Sequence, residues 1–421
     1  MVQKLRNGIR YVTIPNPHMH STVVMVGVQV GSRYEVNGMH GAAHFIEHMM
    51  FKGTKKRPTS QDISRFIESR GGFHNAYTDK EMTNFFVQMS SEDSYLAVDI
   101  VHDTLQNSLF RTSDVNKERP VIQEEISGYE NDPGTRGWHI SESIAFENTT
   151  LAHPVAGTVE SVNFSADKLR KFWMDNYCPE NMVVALAGNV DGNTDDKARN
   201  LFGRLKARGG APAVAPKPKF NLPKKKFHFE ACNTDRMHII VRLPGFPKWS
   251  KEALALELAM AAFGGNSSSR LFQEARDKRG LCYGIHAMHH AYSDAGSCII
   301  STDTEVAKFA PMMNCILDQA NSVIDHGLTP SEIRDSKSQI KGSMAISMDK
   351  PMRLAESAIE QFFTLGEVIT PDELLEKYSK ITVADVQKAL FSLSNAVPHV
   401  TVTGPKSAKK LAEKVLSNLL G

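Results

Sequence analysis

The sequence predicts an α+β protein whose chain is divided into two similar halves. Its 421 residues are too many for one hydrophobic core of ordinary size, so at least two domains are expected. Residues 207–226 combine glycine, proline and a lysine run with few apolar side chains, which is typical of an extended, exposed connector. We therefore expect an N-terminal domain at 1–206, a linker at 207–226 and a C-terminal domain at 227–421.

Each half opens with the same order of patterns. Alternating β-branched residues come first, as in a strand, and an alanine-rich segment with helical spacing follows. These segments are 22–30 and 40–51 in the first half, and 227–243 and 251–263 in the second. The repetition indicates a duplication, and the mixture of strands and helices indicates α+β domains.

Strand and helix patterns continue along both halves. Strand patterns, rich in β-branched and apolar residues, lie at 85–89, 182–187, 297–301 and 399–402. Helical patterns, with apolar residues three or four positions apart, lie at 60–70, 91–109, 112–130, 166–176, 307–326, 330–348 and 371–378.

The composition argues against several classes of protein. The chain is 41% hydrophobic and 23% charged, which is ordinary for a soluble globular protein. Its net charge of +2 gives no support to nucleic-acid binding, so no nucleic-acid partner is expected. No apolar run reaches the length of a transmembrane helix, and residues 1–16 lack the character of a signal or transit peptide.

The cysteines predict a reducing compartment. They are odd in number and form no C-x-x-C pair: Cys178, Cys232, Cys282, Cys298 and Cys315. This pattern argues against a disulfide framework and against a cysteine zinc site. We expect a cytoplasmic location of the bacterial type, or the mitochondrial matrix if a transit peptide has been removed.

The most informative segment is His44-Phe45-Ile46-Glu47-His48, which lies in a helical pattern. Positions i and i+4 share one face of a helix, so His44 and His48 can both reach one metal ion, with Glu47 beside it. This order is the reverse of the zincin motif and is known as the inverzincin motif. Imidazole and carboxylate ligands favour zinc. The helix is otherwise apolar, which predicts that it is buried.

A third protein ligand is expected from the acidic helical segment 112–130. Its acidic residues include Glu118, Glu124 and Glu125. Glu118 and Glu125 are two helical turns apart and share a face. Local geometry alone leaves all three glutamates as candidates.

The chain resembles the pitrilysin/insulysin-type zinc peptidases, in the branch of mitochondrial processing peptidase and its short bacterial relatives. Those proteins carry H-x-x-E-H followed far downstream by E-x6-E, and here 76 residues separate His48 from Glu125. Further matching stretches are Lys4-Leu5-Arg6-Asn7-Gly8, Gly31-Ser32-Arg33-Tyr34-Glu35, Phe51-Lys52-Gly53-Thr54, Asn75-Ala76-Tyr77-Thr78, Tyr129-Glu130-Asn131-Asp132-Pro133, Ser268-Ser269-Arg270-Leu271-Phe272 and Arg276-Asp277-Lys278-Arg279-Gly280-Leu281-Cys282-Tyr283. The resemblance implies one zinc ion per chain with Glu125 as third ligand, and Glu118 as a catalytic-site carboxylate that tunes the ligands or the water.

The resemblance also implies roles for other residues. Glu47 would act as general base on a zinc-bound water. Arg276 would bind the substrate backbone, and Tyr283 would contact the substrate and donate to the developing oxyanion. Asn75 and Ala76 would lie on an edge strand to which an extended peptide adds by main-chain hydrogen bonds.

The implied fold is a pair of antiparallel-rich sheets flanked by helices and facing each other across a chamber. The implied function is a zinc metalloendopeptidase that hydrolyses unfolded peptides or presequence-like segments inside the closed chamber.

Longer relatives carry four such domains and this chain carries two, so a homodimer is expected. One alternative is the catalytic subunit of a heterodimeric processing peptidase, paired with a related chain that lacks the zinc motif. Another is a non-catalytic assembly subunit related to respiratory-complex core proteins.

Overall fold

The computed structural model describes residues 2–35, 38–206 and 226–420. Residues 207–225, nearly all of the predicted linker, lie outside the described residues. The chain forms two compact units, and each is assembled from more than one segment. Unit 1 comprises Met1–Ile126, His153–Pro216 and Met344–Thr370; unit 2 comprises Ser127–Ala152, Lys217–Ser343 and Pro371–Gly421.

Strands and helices alternate along the chain. The strands are β1 (Gln3–Lys4), β2 (Arg10–Pro15), β3 (Ser21–Val28), β4 (Phe73–Thr78), β5 (Thr83–Ser90), β6 (Met182–Gly188), β7 (Phe227–Ala231), β8 (Arg236–Gly245), β9 (Ile285–Ala291), β10 (Gly296–Glu305) and β11 (His399–Gly404). The helices are α1 (Ala42–Met50), α2 (Ser60–Glu68), α3 (Ser94–Asn107), α4 (Thr112–Asn131), α5 (Pro133–Ala145), α6 (Ala166–Asn176), α7 (Gly192–Phe202), α8 (Lys251–Gly264), α9 (Arg270–Phe272), α10 (Phe309–His326), α11 (Pro330–Met348), α12 (Pro351–Leu365), α13 (Pro371–Lys380), α14 (Val383–Phe391) and α15 (Lys409–Leu420).

Unit 1 is built on a sheet with the order β1-β2-β6-β3-β5-β4. Its neighbours are antiparallel except for the parallel pair β2 and β6. On one face, α1 and α3 pack against the main hydrophobic core, which includes Val26 and Phe85. On the other face, α12 packs on β3 and β6 and covers Met25 and Ala185. The sheet is therefore buried on both sides, as its apolar strands require.

Unit 2 repeats this plan with the sheet order β7-β11-β8-β10-β9. The parallel pair β7 and β11 occupies the same place as β2 and β6 in unit 1. Helix α8 covers one face, and α5 packs on β8 and β11 from the other. The fully buried Arg242 ties α5 to the sheet, because it donates to Ser141 Oγ at 3.0 Å and to Ser297 Oγ at 2.9 Å.

The predicted α+β class, with two antiparallel-rich sheets flanked by helices, is confirmed. The matching strand order of the two sheets supports the predicted duplication. The compact units do not follow the continuous halves, because α5 of the first half belongs to unit 2 and α12 of the second half belongs to unit 1. A domain division at 207–226 stays a prediction. Among the described helices, none is long and apolar enough to cross a bilayer.

Candidate metal centre

Helix α1 presents the motif because its other side chains anchor it in the core. Phe45, Ile46 and Met49 are buried, which leaves the opposite face of the helix for polar side chains. The helix begins after Gly41, whose φ of 89° favours glycine. A Cβ at Gly41 would also lie 2.6 Å from the carbonyl oxygen of Ala156, so a side chain at this position would displace the start of the helix.

Glu35 caps the start of α1 from outside the helix. Its Oε2 accepts from the backbone N–H of Gly41 and its Oε1 from that of Ala43, each at 2.8 Å. Burial raises the pKa of Glu35 to about 8, although these hydrogen bonds and the charge of Lys80 act in the opposite direction. The orientation of the motif helix therefore depends on one fully buried carboxyl.

Helix α4 supplies the glutamates. It runs without interruption through Pro120, and Ile122 and Ile126 anchor it in the core. Glu124 is exposed, whereas Glu118 is buried and Glu125 is half-buried. A change of one position turns a side chain by about 100° around a helix, so Glu124 points away from the face that Glu118 and Glu125 share.

The histidines and Glu125 converge on one point. His44 Nε2 lies 3.6 Å from Glu125 Oε1, and His48 Nε2 lies 3.4 Å from Glu125 Oε2. Tetrahedral zinc with bonds of about 2.0–2.2 Å needs ligand atoms roughly 3.3–3.6 Å apart. The two histidine–Glu125 distances, one to each carboxylate oxygen, have this spacing, and the chemistry of the three side chains fits zinc. His44, Glu47 and His48 also form the one group of three or more metal-binding side chains found in the described part of the chain.

Glu118 fixes the ring of His48. The Nδ1 of His48 and Oε1 of Glu118 are 2.9 Å apart, and Lys52 Nζ lies 2.5 Å from the other carboxylate oxygen. This bond leaves Nε2 of His48 directed at Glu125, the arrangement in which a carboxylate orients a histidine ligand. Nδ1 of His44, in contrast, is buried without a hydrogen-bond partner among the described residues.

The electrostatics of the site favour a cation. Burial lowers the pKa of His48, but hydrogen bonds to Glu118 and Glu125 and the charge of Glu47 outweigh it and raise that pKa to about 9. Burial raises the pKa of Glu118, yet its bonds to His48 and Lys52 hold it below its usual value. The carboxylates therefore stabilise positive charge at the point where the ligand atoms meet.

Glu47 lies beside the candidate ligands and has a hydrogen-bond partner of its own. Thr78 Oγ1, at the end of β4, donates to Glu47 Oε2 at 2.7 Å. The sequence assigned no role to Thr78 or Lys52, although each lies in a stretch that resembles the family. Their presence in matching stretches was the available signal, but their partners lie far away in the sequence.

Asn75 and Ala76 lie on β4, which forms the edge of the unit 1 sheet and pairs there with β5. Asn75 Oδ1 accepts from the backbone N–H of Ala76 at 2.9 Å. Asn75 is exposed and Ala76 is half-buried. An edge strand can accept a further strand by main-chain hydrogen bonds.

Arg276 and Tyr283 are neighbours in unit 2. Arg276 lies in a π-helical turn, Gln273–Lys278, that follows α9. Its guanidinium carbon is 5.1 Å from the centre of the Tyr283 ring and 4.9 Å from that of Phe272. Tyr283 is 81% exposed, so its hydroxyl is available to a ligand.

Residues 10–159 match the family Insulinase (Peptidase family M16), and residues 163–340 match the Peptidase M16 inactive domain. An uncharacterized zinc protease of Streptomyces coelicolor is 33% identical over 98% of this chain and 91% of its own length. A protease from Helicobacter pylori has a similar fold, with a TM-score of 0.87, 19% identity and coverage of 96% of this chain and 99% of that one. A chain of complex III2 from Candida albicans is also similar in fold, with a TM-score of 0.83, 19% identity and coverage of 100% and 97%.

Proposed function

Because this chain belongs to the insulinase-type peptidase family M16, we propose that it is a zinc-dependent endopeptidase. The observation that carries this function is the convergence of His44, His48 and Glu125 at 3.4–3.6 Å, with Glu47 beside them. A site with three protein ligands keeps a position for water or substrate, as catalytic zinc sites do.

His44, His48 and Glu125 would hold the zinc ion, and Glu118 would orient His48. When bound, zinc supplies Lewis-acid chemistry that polarises a carbonyl and makes water more acidic. Glu47 takes a proton from the attacking water and delivers it to the leaving amine. Its carboxylate is suited to this because it lies next to the candidate ligand atoms and accepts a hydrogen bond from Thr78.

The proposed substrates are unfolded peptides or presequence-like segments. An extended peptide would pair with β4 at Asn75 and Ala76, and main-chain pairing tolerates many side chains. The exposed Tyr283 and the guanidinium of Arg276 offer donors for the peptide carbonyls and for a developing oxyanion. A homodimer enclosing a chamber, or a heterodimer with a related chain that lacks the motif, remains part of this proposal.

A non-catalytic assembly subunit is the competing function, and the similarity to a chain of complex III2 is the observation that favours it. That likeness concerns the fold. A scaffold subunit needs no convergent histidines and carboxylates, whereas this chain retains the whole set of His44, Glu47, His48 and Glu125. Metal content separates the two functions, because a scaffold is expected to bind no zinc.

The decisive experiment measures zinc content and cleavage of a quenched fluorescent peptide pool by wild type and by zinc-loaded Glu47→Gln. We expect one zinc ion per chain in both proteins and a loss of turnover of at least ~100-fold in the variant. Glu124→Gln, an exposed neighbour of Glu125, is the matched control and should retain activity. Near-normal turnover by zinc-loaded Glu47→Gln would refute the assignment of the base. Absence of zinc from the wild type would favour the assembly subunit.

A further inference from the structure

Thr78 ends the proposed substrate strand, β4, and donates a hydrogen bond to the proposed base, Glu47. We infer that Thr78 is a positioning residue, which holds the Glu47 carboxylate in one orientation and couples that orientation to β4. This role rests on the proposed function, since it assigns no chemistry to Thr78 itself. It goes beyond that function by naming a residue that decides how well the base is aimed.

The hydroxyl of Thr78 is committed to Glu47. A threonine hydroxyl has one O–H to donate, and Thr78 Oγ1 lies 2.7 Å from Glu47 Oε2. The neighbouring Thr83 hydroxyl is 3.4 Å from Thr78 Oγ1 but donates to the carbonyl oxygen of Val30 at 2.7 Å. Glu47 Oε2 is therefore the acceptor of the Thr78 proton, and Oε1 is left to accept a proton from water.

The donor is held rigidly. Thr78 is the last residue of β4 and is paired with Thr83 across the hairpin. Asp79 closes the turn, because its N–H donates to the carbonyl oxygen of Met82 at 2.9 Å and its Oδ1 accepts from the N–H groups of Glu81 and Met82 at 2.6 and 2.7 Å. β-Branching further restricts the side chain of Thr78.

Such a donor matters because the carboxylate of a glutamate turns easily. The last torsion of a glutamate side chain is broad, with no sharp rotamers. A fixed hydroxyl reduces this freedom to one orientation, and small errors in the aim of a catalytic group are costly in rate. The donor also lies on the strand that would pair with the peptide, so displacement of β4 would move the donor relative to the base on α1.

The test compares Thr78→Val, which removes the hydroxyl at nearly constant shape, with Thr78→Ser, which restores it. For Thr78→Val we expect kcat to fall roughly 10- to 100-fold, KM to change less than about 2-fold and zinc content to stay at the wild-type value. Thr78→Ser should recover most of kcat. A crystal structure of zinc-loaded Thr78→Val should show Glu47 in more than one rotamer.

Thr13→Val is the matched control, because Thr13 Oγ1 also donates to a carboxylate, that of Asp195 at 3.0 Å, in the same unit. It should leave kcat unchanged. If Thr78→Val distorts the strand, Thr78→Ala should give the same fall in kcat. An unchanged kcat with Glu47 in its original single rotamer overturns the inference, as does a Thr78→Ser variant as slow as Thr78→Val. Failure of the proposed function is distinct, since zinc-loaded Glu47→Gln would then remain active or the wild type would lack turnover.

Discussion

At the residue scale, the side chains of the candidate metal centre are held by neighbours outside the proposed set of ligands. Glu118 holds His48, and Lys52 in turn holds Glu118 at 2.5 Å. Thr78 holds Glu47 from a different element. Each of these bonds joins positions distant in the sequence, so the precision of the site is a tertiary property.

Replacing Lys52 with methionine is expected to weaken zinc binding about 10-fold, because Glu118 loses the partner that holds it against His48. Competition with a chromophoric chelator measures the dissociation constant. Lys55→Met is the control, since Lys55 is an exposed lysine three residues away. Equal zinc affinity in both variants would show that Lys52 does not support the site.

Glu35 gives the protein a dependence of stability on pH. Its folded pKa of about 8 is raised above the ordinary 4.5, so the folded state holds a proton across that window that the unfolded state has lost. The contribution of Glu35 to the free energy of unfolding is therefore fully present below about pH 4.5, falls as pH rises and is lost above about pH 8.

Glu35→Gln should flatten this slope, because glutamine does not titrate. Urea unfolding of wild type and variant at pH 5 and pH 8 measures it. We expect the wild type to lose more stability than the variant between the two values. A variant with the wild-type slope would contradict the shifted pKa of Glu35.

At the scale of elements, local pattern predicted many of the helices and strands, but it missed β1 and β2 and merged β7 and β8 into one strand. Helices α6 and α11 have the predicted bounds, because Ser165 caps the first and Pro330 opens the second. Helices α5, α7, α9, α12, α14 and α15 were not predicted, although Asp132-Pro133 is a start signal that could have revealed α5. No local pattern could show that α5 packs on the sheet of the other half, since that depends on burial.

In the candidate site, too, local pattern predicted some features, whereas others depend on tertiary packing. Helical spacing grouped His44, Glu47 and His48, but it left Glu118, Glu124 and Glu125 open as the third ligand. The choice depends on how α4 is rotated against the core, and Ile122 and Ile126 set that rotation. A resemblance to known peptidases, rather than spacing, supplied Glu125.

Asn84 is a polar residue that is buried in strand β5. Asn84 is 1% exposed, and neither its Nδ2 nor its Oδ1 has a hydrogen-bond partner among the described residues. An unpaired buried amide is costly, and valine suits a strand better. Asn84→Val is expected to raise the free energy of unfolding by ~1–2 kcal/mol in urea denaturation.

Gln88→Leu is the matched control on the same face of β5. Gln88 donates to Ser21 Oγ at 2.9 Å, so its loss removes a hydrogen bond and should not stabilise the protein. If Asn84→Val proved less stable than the wild type, the Asn84 side chain would make a favourable contact, and the prediction would be wrong.

At the scale of the whole molecule, each compact unit includes a helix from the other half of the sequence. Helix α12 covers β3 and β6 of unit 1, and α5 covers β8 and β11 of unit 2. The halves are thereby joined by packing as well as by the peptide chain. This reciprocity distinguishes the protein from two domains on a flexible tether.

Cutting the chain within 207–225 should therefore leave the two fragments associated. A specific protease site inserted there, followed by size-exclusion chromatography under native conditions, tests this. We expect one peak containing both fragments, with zinc content unchanged. Separation of the fragments would mean that the packing of α5 and α12 is too weak to hold them together.

Because α12 lies late in the sequence, unit 1 is completed only late in the synthesis of the chain. The candidate site residues leave the ribosome early: His44, Glu47, His48 and Glu125. The sheet of unit 1, however, lacks α12 on its second face until Leu365 has emerged. A nascent or prematurely terminated chain thus carries the candidate metal ligands on an unfinished unit. Under the proposed function, the metal centre would be complete only after most of the chain has been made, which would limit hydrolytic activity in incomplete products.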